Sequence, residues 1–187
     1  MKTRTLILTA LFAALTAIGA FLRIPTPISS FTLQFFFTAM AGLLLNPSYG
    51  ALSQAVYVLL GLCGLPIFTS GGGFSYALQP TFGFLLGLIP AAWLIGLLTR
   101  RGSGLVRIAL ACVGGLGALY LVGLPYMYCI LNFYSGINYG IWQTVFGGML
   151  IFLPFDALKI AVASLLAVKL IPVCRRPVSA KPAQAAR

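Results

Sequence analysis

Asp156 and Lys159 stand three residues apart in "FLPFDALKI" (152–160), and Asp156 is the only acid in a 187-residue chain that has no histidine. A carboxylate accepts hydrogen bonds and an ammonium donates them. Side by side, they suit a small ligand that offers both N–H donors and a carboxylate. The same inventory excludes much other chemistry. General acid–base catalysis needs more titratable groups than one acid can supply, so no enzyme activity is expected. Cys63, Cys112, Cys129 and Cys174 show no CxxC spacing, so no metal site is expected either. No GxxxxGK[ST] occurs, which means that any ATP must be hydrolysed by another chain. No cofactor is expected.

The elements that must position this pair follow from composition. The chain is 60% hydrophobic and 7% charged, against roughly a quarter charged residues in a soluble domain. An all-α integral membrane protein is expected, with a single six-helix membrane domain over residues 1–175 and a polar cytoplasmic tail over 176–187. Apolar runs bounded by Pro, Gly and Arg place spans near 6–22, 28–46, 49–65, 80–98, 105–124 and 153–171. Lys2 and Arg4 resemble the start of a signal peptide, but no small-x-small cleavage site follows, and the first run reads as a retained helix.

Twelve basic residues against one acid give a net charge of +11. These cations sit between apolar runs rather than in a patch, so nucleic-acid binding is not expected. With six spans and both termini cytoplasmic, Lys2, Arg4, Arg100, Arg101, Arg107, Arg175, Arg176, Lys181 and Arg187 all fall inside, and Arg23 alone falls in an outer connection. Asp156 then lies near the outer surface. Pro154 suits the first position of the sixth helix, so Asp156 occupies its first turn, where free N–H groups and the helix dipole favour a carboxylate. Intramembrane ionisable residues are expected to be functional.

Other polar groups gather near the same end. Gln79 precedes the fourth span, Thr32 and Gln34 begin the second, and the 125–152 segment supplies Asn132, Tyr134, Asn138, Tyr139, Trp142 and Gln143. Most of these aromatics read as interfacial anchors, with Tyr139 the candidate for a pocket wall. "SGGGFS" reads as a flexible outer loop. Small residues four apart let helices approach closely: Ala10 with Ala14 and Ala13 with Ala17 in the first span, Gly83 with Gly87 in the fourth. Internal packing is the ordinary use of such a pair, and the overlapping alanines could instead serve a partner.

Several stretches together resemble the BioY family, the biotin-specific S components of energy-coupling-factor (ECF) vitamin transporters. They are "LFAALTAIGAFLRIP", "FTLQFFFTAMAGLLLNPSYGALSQAVYVLLGLCGLPIF", "GGGFSYALQPTFGFLLG" and "FLPFDALK", covering about residues 8–170 in order. The long second block and the Asp-x-x-Lys ending are specific, whereas the Gly run alone is weak; "PYMYCILNFYSGI" (125–137) matches nothing familiar. The resemblance implies a multi-pass protein of the bacterial cytoplasmic membrane that captures biotin from outside. It implies that Asp156 or Gln79 meets the ureido ring, that Lys159 meets the valerate carboxylate, and that aromatic side chains pack on the bicyclic body. It also implies partners, namely a membrane-embedded coupling subunit and two ATPase subunits, with the helix 1 alanines facing the coupling subunit. Two other functions compete: a self-sufficient secondary transporter using Asp156 as a proton-coupled group, and a membrane scaffold without a ligand.

Overall fold

The computed structural model describes residues 3–25, 30–100, 102 and 104–174. Lys2, Arg101 and the tail expected over 176–187, with its basic residues, lie outside the described residues.

Helix α1 (Thr3–Phe21) is followed not by a second helix but by a small antiparallel hairpin, β1 (Arg23–Pro25) and β2 (Ser30–Thr32), with Arg23 opposite Thr32 and Ile24 opposite Phe31. Pro25 disfavours helix at Ile24 and is tolerated on a sheet edge, while Ile24, Phe31 and Thr32 are good strand formers. Helix α2 therefore begins at Gln34 and ends at Leu44, a correction to the span expected from residue 28. Eleven residues rise only about 17 Å, well short of a hydrocarbon core of about 30 Å. Asn46 is extended, and Pro47 opens α3 (Pro47–Leu62) at the position where a missing N–H is harmless.

A loop with one 3₁₀ turn, Phe74–Leu78, leads to α4 (Phe82–Leu98) and α5 (Leu105–Cys129). The fifth span was expected to stop at 124, before Pro125. Instead the helix runs through Pro125 and closes with a π-helical turn, Ile130–Tyr134. Prolines are accommodated in membrane helices because neighbouring groups satisfy the freed carbonyl. A last helical run comprises α6 (Ile141–Val145), a second π turn (Phe146–Leu150) and α7 (Leu153–Cys174). Among the described residues, the runs Thr3–Phe21, Leu105–Tyr134 and Ile141–Pro172 are long and apolar enough to cross a membrane; Gln34–Leu44 and Phe82–Leu98 are shorter and apolar. Six helical runs are thus present, but of unequal reach.

The core is densest where α4 meets α5. A Cβ at Gly83 would lie 2.3 Å from the Cβ of Tyr126, and one at Gly87 would lie 2.8 Å from the Leu119 carbonyl. These two glycines serve internal packing, backbone against backbone. Gly19 plays the same part where α1 meets the start of α2: the Leu33 N–H donates to its carbonyl at 3.0 Å.

Candidate functional site

At the end of the bundle where α1 finishes and α7 begins, a cavity of about 380 Å³ opens between the hairpin, the starts of α2 and α4, the middle of α5 and the first turns of α7. That volume lies within the range usual for small-molecule sites, roughly 300–1,000 Å³. Its lining combines Phe35, Phe84, Leu88 and Phe152 with the charged trio Arg23, Asp156 and Lys159.

Asp156 is 5% exposed. Lys159 Nζ donates to its Oδ1 at 2.7 Å, one turn along α7, and Tyr120 Oη donates to its Oδ2 at 2.5 Å from α5. The first-turn argument needs correction: the Asp156 N–H already donates to Phe152 O at 2.9 Å, because α7 continues an earlier helical run rather than starting free. The neighbours that favour the carboxylate are therefore Lys159 and Tyr120, not a bare helix end. Both oxygens keep acceptor capacity and the ammonium keeps donors, so the cluster offers a ligand both kinds of partner.

Five of the six sequence candidates line this one cavity: Asp156, Lys159, Gln79, Gln34 and Thr32. Gln34 is held in place. Its Oε1 accepts from Thr32 Oγ1 at 3.0 Å and its Nε2 donates to Tyr57 Oη at 2.8 Å, which in turn donates to Ile67 O at 3.1 Å. Gln79 has no side-chain hydrogen bond among the described residues and is free to turn to a ligand. Tyr139 is the exception, and the expectation for it is corrected: it stands outside the cavity. Asn132 folds the 135–140 connection back by donating to Tyr128 O at 3.0 Å and accepting from the Tyr139 N–H at 2.9 Å. Phe133, Tyr134 and Trp142 point outward, as interfacial aromatics do.

Sequence reasoning missed Tyr120 and Arg23 as lining residues. Each left a faint trace: Tyr120 carries a hydroxyl in an otherwise apolar helix, and such a group needs a partner when buried. Arg23 was the one cation that fell outside the cytoplasmic set. The "SGGGFS" loop is braced rather than loose. Phe68, 1% exposed, packs on Tyr57 and Tyr76 with ring centroids 5.5 and 4.6 Å apart. Thr69 Oγ1 lies 2.7 Å from Tyr76 Oη, and Tyr126 Oη donates to Ala77 O. Gly73, at φ 101°, takes a backbone shape that side chains disfavour, and donates to Gly61 O at 2.7 Å.

On α1 the alanines divide. Ala10 and Ala14 are exposed and Ala17 is half-buried, so this row faces outward. Ala13 is 5% exposed and packs in the core, so its expected place on a partner surface is corrected. A spacing of four keeps 10, 14 and 17 together, whereas residue 13 is turned toward α2 and α3.

A polytopic helical protein with one polar-and-aromatic cavity around a buried ion pair belongs to the class of membrane proteins that bind small molecules. A family model described as "BioY family" matches residues 1–176, and the chain belongs to the BioY family. It is 45% identical to a probable biotin transporter BioY of Lysinibacillus sphaericus over 147 residues, covering 78% of this chain and 74% of that protein. It is 38% identical to the biotin transporter BioY of Thermotoga maritima over 168 residues, covering 89% of this chain and 95% of that one. The fold is similar to a crystal structure of the S component for biotin from an ECF-type ABC transporter, with a TM-score of 0.69 and 28% identity over 90% of this chain and 91% of that one. The chain is a multi-pass membrane protein.

Proposed function

We propose that this protein captures biotin with high affinity and serves as the substrate-binding subunit of an ECF-type transporter in a bacterial cytoplasmic membrane. The observation that carries the reading is the single cavity that gathers Asp156, Lys159, Tyr120, Gln34 and Gln79, in a chain whose relatives are named biotin transporters. A ureido ring has two N–H donors and one carbonyl acceptor. Spare lone pairs on Asp156 suit the donors, while Lys159 and the side-chain amide of Gln79 suit the carbonyl. Phe84 and Phe152 offer apolar faces to the fused rings. The cavity lies at the end of the bundle away from the chain termini, so with cytoplasmic termini it opens outward.

Transport needs energy that this chain cannot take from ATP, since it lacks a phosphate-binding loop. A membrane-embedded coupling subunit would dock on the outward row Ala10, Ala14 and Ala17, and two ATPase subunits on separate chains would drive the cycle. The competing secondary-transporter reading needs Asp156 to trade protons, whereas both its oxygens are held by donors within the chain. Equilibrium titration of detergent-purified protein with biotin tests the reading directly. Saturable binding at submicromolar biotin is expected, and its absence overturns the assignment. Uptake that persists in cells lacking the ATPases, and that collapses with a proton ionophore, would favour the secondary transporter.

A further inference from the structure

We propose that Arg23, at the tip of β1, receives the ligand's carboxylate and sets the preference for an acid over its neutral analogue; this rests on the biotin reading above. The charge on the cavity wall points this way. Arg23 and Lys159 contribute two positive charges and Asp156 one negative charge, so the lining is left at +1. Lys159 is already neutralised by Asp156 at 2.7 Å. Arg23 has no such partner and can find none within the chain, because Asp156 is its only acid. Among the described residues, the one acceptor of the Arg23 side chain is the neutral Thr69 carbonyl, bonded through Nη1. A guanidinium has five N–H donors in a planar fork that matches a carboxylate, so most of that capacity is unused.

Position agrees with charge. Directly opposed residues of an antiparallel pair share a face, so Arg23 lies beside Thr32, and both line the cavity. The hairpin is anchored over it by Phe31, whose ring lies 4.5 Å from those of both Phe152 and Phe155. Arg23 is exposed, whereas Asp156 is buried. A carboxylate is far costlier to strip of water than a ureido group. The neutral ring therefore belongs at the buried cluster, and the acid belongs at the rim beside Arg23. Lys159 is then a partner of Asp156 and of the ring, not the carboxylate's counter-ion.

The test measures equilibrium binding of biotin and of biotin amide to wild type, Arg23→Gln and Arg23→Lys, with thermal melting as a folding control. Wild type is expected to prefer the acid. Arg23→Gln should weaken the acid by about tenfold or more, the loss typical of a charged hydrogen-bonded partner, while leaving the amide within about threefold. Arg23→Lys should keep part of the preference. An unchanged acid-to-amide ratio in Arg23→Gln overturns the proposal and returns the carboxylate to Lys159. Equal weakening of both ligands also overturns it, since Arg23 would then act only by tying the hairpin to Thr69. Failure of wild type to bind biotin at all is a different result, and it overturns the biotin reading itself.

Discussion

Burying an ion pair contributes little to stability, because desolvation offsets most of the attraction; replacing such a pair by apolar groups is often neutral. Asp156 and Lys159 are thus poor candidates for a purely architectural role, even with Tyr120 completing the set. Breaking the set and removing it should differ. Asp156→Asn leaves an ammonium without its counter-ion and should cost about 3–5 kcal/mol of stability, besides weakening biotin about tenfold or more. The triple variant Asp156→Leu, Lys159→Met, Tyr120→Phe leaves no orphaned polar group. It should melt within a few degrees of wild type yet bind no biotin. Thermal melting and equilibrium binding on both variants check this, and a triple variant that still binds biotin would show that the cluster is scaffolding.

Two elements frame the cavity's function differently. On α1, adding volume to the outward row and to the inward side should have opposite consequences. Ala10→Leu with Ala14→Leu should leave biotin binding intact while impairing co-purification with the coupling subunit. Ala13→Leu overpacks the core and should cost about 1–3 kcal/mol of stability, visible as a lower melting temperature of the isolated chain. If the outward pair lowers melting as much as Ala13→Leu does, that row is not a docking surface. The second element is the braced loop over 63–81. A Cβ at Gly61 would stand 2.1 Å from the Phe68 ring, so Gly61→Ala must push Phe68 out of its aromatic nest. Biotin should then leave at least several-fold faster, measured by chase with unlabelled ligand; an unaltered off-rate would mean that the loop does not cover the site.

For the molecule as a whole, the orientation argument rests on the basic residues. Reporter fusions in the 99–104 connection and at the C-terminus should read cytoplasmic, and one at Gly72 should read external. A cytoplasmic signal at Gly72 would reverse the face on which the cavity opens. Membrane residence and the helical class were legible because they depend on composition summed over long windows. The polar candidates Thr32, Gln34, Gln79, Asp156 and Lys159 were legible because polar groups in apolar sequence are costly and therefore few. The hairpin was not, since three-residue strands leave almost no periodic signal between two prolines and a helix. Tyr120 was not, because α5 is apolar nearly all round and gives no hint of which side faces inward. Tyr139 misled because an aromatic beside a membrane reads alike whether it lines a pocket or rests in the headgroups.

The π turn at Phe146–Leu150 carries a consequence for how such a chain can vary. A π turn holds one residue more than the α turn it replaces, and each α-helical residue advances the azimuth by about 100°. The extra residue sets the phase of everything after it, including the direction in which Asp156 leaves α7. A chain with one codon fewer in this stretch would have nearly the same composition and the same number of helices. Its only acid, however, would swing about a quarter-turn away from Tyr120, and the resulting loss of uptake would leave almost no mark on a hydropathy profile.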